Sequence, residues 1–272
     1  MVRTVLVTGA NSGLGLATCL HLAELGFGVV GTARSKEKLD VLHKAAGDAG
    51  VQVDGAVLDV TDGPGCEALV GSLEPWGLVN NAGYMNVGRV VDVAPEDALR
   101  QLDTLVVAPM RLAGLALPAM RRQGSGRIVN VSSAIAHGTA AMTGWYQASK
   151  HALSAVTDAF RREVAEDGID VVLVEPGGLD TGLWDKAEDD LERRRRQSGD
   201  PTPYDRSLRM LRAGRPYFPG PEIAAEVIGR ALTAGRPPVR YQGGLDAPLV
   251  RLTERLLPDR VHDRLVRAAL GR

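Results

Sequence analysis

Short runs of apolar, β-branched residues alternate with longer stretches of helical period along this sequence. Runs such as VLV at 5–7 and VVLV at 171–174 are apolar on consecutive residues, which is typical of strands that helices cover on both faces. Alternation of such strands with helices predicts a doubly wound parallel sheet of the α/β class. The predicted strands lie at 4–8, 28–33, 51–60, 77–81, 126–132, 169–176 and 238–242.

The composition fits one globular domain. The chain has 272 residues, of which 44% are hydrophobic, and this is enough material for a sizeable core. Neither a linker of Gly, Ser or Pro nor an internal repeat divides it, which predicts a single domain over residues 1–272. A formal net charge of -1 gives no reason to expect nucleic acid or an anionic membrane as a partner. No apolar run approaches ~20 residues, so no membrane span is predicted.

Cysteine and charge patterns argue against several other kinds of site. Only Cys19 and Cys66 are present, with unrelated spacing, so neither a disulfide framework nor a metal site is predicted, and the reducing cytoplasm is the expected compartment. Four arginines at 193–196 follow the acidic stretch EDDLE. A helix that mixes acids and bases is usually a solvated face, so this run is predicted to lie in solvent and not on nucleic acid.

The stretch VTGANSGLGLA at 7–17 joins the first predicted strand to the first predicted helix. In such a turn Gly9 permits a tight bend, Gly13 lets a pyrophosphate approach the backbone, and Gly15 lets the helix pack on the strand. The helix N-terminus then faces the negative charge. Glycines at this spacing are equally compatible with an ordinary strand-to-helix turn, so the loop alone does not decide the function.

Four motifs in register resemble those of the short-chain dehydrogenase/reductase family, in its classical branch. They are the glycine pattern preceded by Thr8, NNAG at 80–83, Ser133 followed by Tyr146-x-x-x-Lys150, and PGGLDT at 176–181. The resemblance covers nearly the whole chain. It implies a Rossmann-type fold, a nicotinamide cofactor, and hydride transfer between an alcohol and a ketone or aldehyde. Because the family commonly assembles into dimers or tetramers, a homodimer or homotetramer is expected.

The Tyr146 and Lys150 pair makes chemical sense independently of the resemblance. The two residues are four apart and therefore share one face of a helix. A free tyrosine has a pKa of ~10, and a nearby ammonium is expected to favour the phenolate. The family's usual separation of thirteen residues selects Ser133 and not Ser132. The resemblance implies that the Ser133 hydroxyl holds a substrate carbonyl while Tyr146 gives or takes the proton.

The end of the second strand bears on the choice of cofactor. NAD-preferring sites place an acid there, whereas this chain has Ala33, followed by Arg34 and Ser35. A guanidinium and a hydroxyl suit a 2′-phosphate, with Ser12 as a further donor, so NADP(H) is predicted. The resemblance also implies cofactor contacts from Gly9, Gly13, Leu14, Gly15, Asp59, Val60, Asn81, Ala82, Gly83, Tyr146, Lys150, Pro176, Gly177 and Thr181.

Large apolar residues cluster in segments that are expected at the same edge of the sheet. They are Met85, Ile135, Met142, Leu179, Leu183 and Trp184. A hydrophobic alcohol or carbonyl substrate is therefore predicted, with the segment at about 179–220 as a lid. Two alternatives stay open: the apolar residues only pack the lid onto the domain, and His137 in the adjoining loop either lines the pocket or lies at the surface.

Leu105 departs from the family pattern, because it stands where classical members have an asparagine. Pro109, four residues on, has no N–H to bond the Leu105 carbonyl. That carbonyl is then expected to hold a water near Lys150, so that activity survives. A slack helix with no proton relay is the other interpretation.

Two functions are compatible with these residues. The first is an NADP(H)-dependent oxidoreductase. The second is a regulatory or scaffold protein that binds NADP without turnover. The presence of Ser133, Tyr146 and Lys150 favours the enzyme, because a binding protein does not need this trio.

Overall fold

The fold is a parallel sheet with helices on both faces, which confirms the predicted doubly wound architecture. A computed structural model describes residues 2–137, 139–243, 260, 261 and 264. The strands are β1 (Thr4–Val7), β2 (Gly28–Ala33), β3 (Asp54–Val57), β4 (Gly77–Asn80), β5 (Gly126–Val131), β6 (Ile169–Pro176) and β7 (Arg240–Gly243). They are all parallel and lie in the order β3-β2-β1-β4-β5-β6-β7.

Helices occupy most of the chain between the strands. They are α1 (Gly13–Glu24), α2 (Lys36–Asp48), α3 (Gly63–Leu73), α4 (Pro95–Leu102), α5 (Ala108–Gln123), α6 (Gly144–Glu163), α7 (Leu183–Gln197), α8 (Thr202–Gly214) and α9 (Glu222–Thr233). A π-helical turn, Asp103–Val107, joins α4 to α5.

Both faces of the central strands are buried. Val5 and Val7 of β1 pack with residues of α1, α2 and α9 in one core, and Leu6 between them packs with residues of α3 and α5 in a second core. This burial on two sides explains why the strand runs are apolar on consecutive residues. The edge strand β3 differs: only Asp54–Val57 of the predicted run at 51–60 pairs with a neighbour, and its Val57 side chain is exposed.

The strand order reverses between β1 and β4, which lie side by side. The turn from β1 to α1 and the segment after β4 therefore leave the sheet at the same point of its carboxyl edge. In open α/β sheets, ligands bind in the crevice at this point of reversal.

Two helices, α7 and α8, lie over this edge and pack on each other. Leu191 of α7 and Tyr204 and Leu208 of α8 are buried in a third apolar cluster, which also contains Met85. The Tyr204 hydroxyl donates a hydrogen bond to Asp92, in the segment between β4 and α4. The segment at 179–220 thus contains two helices with their own contacts to the rest of the chain, and its role as a lid stays a prediction.

Arg194 corrects the prediction that the whole arginine run at 193–196 lies in solvent. Its side chain is only 6% exposed, and its guanidinium donates to the Asp92 carbonyl at 2.5 Å. Arg194 follows Leu191 by three residues and so shares the inward face of α7. Its aliphatic part crosses Gly88, where a Cβ atom would stand 2.6 Å from Arg194 Cδ.

One continuous helical run within the described residues, Pro95–Gln123, is long and apolar enough to cross a membrane by length and composition. Its α5 part supplies Ala108, Leu112 and Ala116 to the core beneath the sheet. The core helix of an α/β domain passes the same test, so the run is weak evidence for a membrane span.

Gly88→Ala is expected to destabilise the folded protein by about 1–3 kcal/mol, because the new methyl group overpacks against the buried Arg194 side chain. Gly71→Ala in α3 is the matched control, since no atom lies within 4 Å of the Cβ position there. The control is expected to gain up to about 1 kcal/mol from helix propensity. Urea unfolding measures both changes, and equal stability of Gly88→Ala and the wild type would contradict this packing.

Candidate active site

A cavity of about 950 Å³ opens at the carboxyl edge of the sheet, and α7 contributes to its wall. It is continuous from the glycine-rich turn after β1 to the start of α6. The structure brings nearly all the candidate site residues to its lining: Gly9, Ser12, Gly13, Leu14, Gly15, Arg34, Asp59, Val60, Asn81, Ala82, Gly83, Ser133, Tyr146, Lys150, Pro176, Gly177 and Thr181.

Ser35 is the exception, because it is not among the residues that line the cavity. The residue occupies the N-cap position of α2, and its hydroxyl bonds the Glu37 carboxyl, which lowers the pKa of that carboxyl. Its contact with the cofactor stays a prediction.

The glycine turn requires glycine for two separate reasons. Gly9 has a φ of +70° and Gly13 a φ of +52°, in the left-handed region that favours glycine. Close approach adds to this, because a Cβ on Gly9 would stand 2.8 Å from Ala82 Cα and one on Gly15 would stand 2.1 Å from the Gly9 oxygen. The turn therefore presents bare backbone to the cavity.

Thr8 and Asn81 tie this turn to the end of β4. The Thr8 hydroxyl accepts hydrogen bonds from the backbone N–H groups of Asn81 at 3.0 Å and Ala82 at 2.9 Å. The Asn81 side-chain amide donates to the carbonyls of Thr8 at 2.9 Å and Gly9 at 3.2 Å. The two loops on either side of the strand reversal are thus one hydrogen-bonded unit.

Ser133, Tyr146 and Lys150 meet where β5 ends and α6 begins. The Ser133 and Tyr146 hydroxyls are hydrogen-bonded to each other. Lys150 Nζ donates to the Val131 carbonyl at 2.7 Å and lies 5.7 Å from the centre of the Tyr146 ring. The four-residue spacing places both side chains on one face of α6, as the sequence predicts.

Ser132 points away from this cluster. Its hydroxyl lies 3.4 Å from the Lys150 carbonyl, to which it donates, and 3.3 Å from the Ser154 hydroxyl on the α6 side of the sheet. Successive residues at the end of β5 face opposite sides, so only Ser133 reaches Tyr146.

Burial controls the protonation of the trio. It raises the pKa of Tyr146 to about 12, although the hydrogen bond from Ser133 lowers it. It lowers the pKa of Lys150 to about 8. Burial is the largest effect on Tyr146, which is therefore a protonated donor at neutral pH, and the effect of the lysine charge on the phenolate stays a prediction.

One end of the cavity is cationic. Arg34 follows β2, and Lys38, in the first turn of α2, lines the same wall. Asp59 accepts hydrogen bonds from Thr61 N–H at 2.9 Å and the Thr61 hydroxyl at 2.7 Å, and these bonds together with the Arg34 charge lower the pKa of Asp59. Lys38 is not among the predicted site residues, although it follows Arg34 closely in the sequence.

The other end of the cavity is apolar. Met85, Leu179, Leu183 and Trp184 line it, as the sequence predicts, and so does Phe218. The rings of Trp184 and Phe218 lie 5.0 Å apart in a tilted arrangement. Phe218 also covers Gly178, where a Cβ would stand 2.6 Å from the ring. Phe218 is not among the predicted pocket residues, because only the fold brings the segment after α8 to this wall.

Three predicted pocket residues remain: Met142, Ile135 and His137. Met142 is buried beside Tyr146 in the third cluster and not on the wall of this cavity. The side chains of Ile135 and His137 lie outside the described part of the structure, so their predicted places stay open.

Leu105 lies in the π-helical turn, three residues before the start of α5 at Ala108. The turn forms where Pro109 breaks the regular bonding, and the Ala108 N–H donates to the Asp103 carbonyl. The Leu105 side chain is buried against Tyr146 and stands beside Gly83, where a Cβ would lie 2.7 Å from it. The expectation that the Leu105 carbonyl holds a water near Lys150 stays a prediction.

Cys19 and Cys66 are both buried and unpaired, and burial raises the pKa of each thiol. Neither lines the cavity. Among the described residues, no group of three His, Cys, Asp or Glu side chains is arranged to hold a metal ion.

The fold and this arrangement of side chains define an oxidoreductase of the dinucleotide-binding α/β type. The profile of the short chain dehydrogenase family matches residues 3–192, from the first strand to within α7. The chain belongs to this short-chain dehydrogenase/reductase family, and a nicotinamide cofactor follows from its membership.

Similar proteins cover almost the whole chain. The sequence is 30% identical to the uncharacterized oxidoreductase YbbO of Escherichia coli, over 98% of this chain and 94% of that protein. It is 29% identical to the NADPH-dependent 3-dehydrocapnine reductase of Ornithobacterium rhinotracheale, over 97% and 96%. Among solved structures, a variant of actinorhodin polyketide ketoreductase with NADPH superposes with a TM-score of 0.74 at 31% identity, over 90% of this chain and 97% of that one.

Between pH 8 and pH 10 the wild type is expected to gain about 2–3 kcal/mol of stability relative to Lys150→Met. The folded-state pKa of Lys150 is about 8 and its ordinary value is 10.5, so in this window the unfolded chain binds the extra proton. Stability therefore rises with pH in the wild type only. Urea unfolding at several pH values measures the difference, and a constant gap between the two proteins would contradict a buried, titrating Lys150.

Proposed function

We propose that this protein is an NADP(H)-dependent oxidoreductase that interconverts a hydrophobic alcohol with its ketone or aldehyde. The observation behind the proposal is one continuous cavity that joins a bare glycine turn, a cationic end, a buried proton donor and an apolar wall. Each of these parts corresponds to one part of the proposed reaction.

The residues of the cavity fit a dinucleotide. The turn from Gly9 to Gly15 brings three glycines to the cavity, and α1 begins there with its N–H groups available to an anion. Ser12 stands at the N-cap of α1 and makes no side-chain bond to the helix, so its hydroxyl also suits a phosphate. The cofactor, when bound, supplies or accepts the hydride. Further contacts are assigned to Leu14, Asp59, Val60, Asn81, Ala82, Gly83, Pro176, Gly177 and Thr181.

The trio supplies the proton chemistry. Tyr146 is protonated at neutral pH and donates its proton to the carbonyl oxygen during reduction, while the Ser133 hydroxyl stabilises the same oxygen. In the reverse direction Tyr146 accepts the alcohol proton. Lys150 anchors the base of the trio through its bond to the Val131 carbonyl, and its charge assists the release of the tyrosine proton.

The preference for NADP(H) rests on the cationic end of the cavity. Arg34 and Lys38 bring two positive charges to this end of the cavity. Ala33 stands where an NAD-preferring site has an acid that binds the ribose hydroxyl, so that acid is absent here. Two of the similar proteins, the reductase from Ornithobacterium rhinotracheale and the actinorhodin ketoreductase, are described with NADPH, which supports the same choice.

The preference for an apolar substrate rests on the lid. Leu179, Leu183, Trp184 and Phe218 face the cavity and also pack α7 onto the domain, so their two interpretations are compatible. A pocket with this lining favours apolar carbonyl compounds over sugars or small acids. The proposal also includes assembly into a homo-oligomer and a location in the cytoplasm. The alternative, a scaffold without turnover, is not favoured, because it has no need of a proton donor bonded to Ser133.

Purified protein with NADPH is expected to reduce apolar ketones or aldehydes with a kcat/KM about tenfold or more above that for small polar ones. Tyr146→Phe is expected to lower the rate by about 10²–10⁴-fold, because the proton donor is lost. Ser133→Ala should also lower it, whereas the matched control Ser132→Ala should not. NADPH binding without oxidation across the panel would favour the scaffold, and faster turnover of polar carbonyls would overturn the substrate class.

Arg34→Ala is expected to weaken NADPH binding by about 1.5–3 kcal/mol and to leave NADH binding nearly unchanged, because one charge-assisted hydrogen bond to the 2′-phosphate is lost. Steady-state kinetics with both coenzymes measure the change. An unchanged ratio of NADPH to NADH efficiency in the variant, or a wild type that prefers NADH, would count against the assignment.

A further inference from the structure

Tyr84 is a cavity residue that the proposed catalytic and cofactor contacts leave unused. It directly follows Gly83 and lines the cavity. Its hydroxyl oxygen is buried, and no described residue is placed to hydrogen-bond it with normal geometry. Thr104 lies alongside and its hydroxyl acts on Tyr84, but the contact does not meet hydrogen-bond geometry, and the Thr104 proton is donated to the Arg100 carbonyl at 2.9 Å. A buried hydroxyl without a partner costs about 1–3 kcal/mol, which a ligand in the cavity would recover.

The surroundings of this hydroxyl are cationic from two sides. Arg100 of α4 and Thr104 of the π-helical turn after it line the cavity together with Tyr84. Arg34, just before α2, lines the same cavity. Burial raises the pKa of Tyr84, although the charges of Arg100 and Arg34 lower it, so the hydroxyl is protonated and acts as a donor at neutral pH. Asp97 also faces this region and pairs with Arg100 at 3.7 Å.

A protonated hydroxyl with two guanidinium groups nearby favours an anionic acceptor. The adenine side of the cavity is marked by Asp59, and Arg34 acts electrostatically on both Asp59 and Tyr84. Arg34 is therefore near enough to act on both Asp59 and Tyr84, and in the proposed function Arg34 binds the 2′-phosphate of NADP(H).

We propose that Tyr84 is a specificity-determining residue for NADP(H): its hydroxyl donates a hydrogen bond to the 2′-phosphate of the cofactor. Arg100 of α4 then supplies a second positive charge to this phosphate, beside that of Arg34. This inference rests on the proposed function and extends it. The phosphate is then held between α2 and α4 instead of by the end of β2 alone.

The test uses adenosine 2′,5′-bisphosphate and adenosine 5′-monophosphate as probes in calorimetry, because they differ only in the 2′-phosphate and need no turnover. Tyr84→Phe is expected to weaken the bisphosphate about tenfold or more and to leave the monophosphate within about twofold. Tyr217→Phe, with a side chain 85% exposed and away from the cavity, is the matched control.

A second arm tests the charge. Arg100→Gln is expected to weaken the bisphosphate selectively, and the loss should shrink as salt is added. Arg89→Gln is the control, because Arg89 also pairs with an acid three residues away at 3.7 Å but does not line this cavity. In steady-state kinetics, Tyr84→Phe should raise the KM for NADPH with little change in kcat.

Stability separates this role from a structural one. Because Tyr84→Phe removes an unpartnered hydroxyl, the free protein should keep or raise its Tm, whereas a structural hydroxyl would lower it. Equal weakening of both probes would place the hydroxyl on the shared adenosine and overturn the inference. No weakening in a wild type that prefers the bisphosphate would overturn this inference alone, and a wild type without that preference would overturn the NADP(H) assignment with it.

Discussion

The structure depends on the contact between the turn after β1 and the segment after β4. No side chain fits between them, since a Cβ on Gly9 would overlap Ala82 and one on Gly15 would overlap the Gly9 carbonyl. Thr8 and Asn81 bond the two segments across the reversal of strand order. This unit sets the direction of α1 and the floor of the cavity, and so it fixes where a dinucleotide lies relative to the trio on β5 and α6.

The protonation of Tyr146 and the apolar wall of the cavity both depend on the same packing of apolar side chains. The third cluster, built from α7, α8 and the segment after β4, packs on Tyr146. Burial keeps the tyrosine protonated, and burial also lowers the pKa of Lys150 to about 8. The apolar packing around Tyr146 therefore also helps to determine which member of the trio holds the proton.

Patterns local in sequence predicted most of the fold and much of the site. Consecutive apolar residues such as Val5, Leu6 and Val7 indicated strands buried on two faces, and the spacing of Tyr146 and Lys150 indicated a shared helical face. The features that could not be predicted from the sequence depend on contacts between segments that are distant along the chain. Arg194 is buried because Gly88, about a hundred residues earlier, leaves room for it, and Phe218 meets Trp184 only after α8 has turned the chain back. The protonation of the trio depends on the same tertiary burial, which no motif encodes.

The amide of Asn81 has a consequence for how the protein ages chemically. Both of its N–H bonds point at carbonyl oxygens, those of Thr8 and Gly9, and an aspartate of the same shape has no donor to offer them. Deamidation at this position would set a carboxylate against two carbonyls while leaving the packing volume unchanged. The joint between the two halves of the sheet is therefore sensitive to the loss of one nitrogen atom, even though every steric contact around it survives.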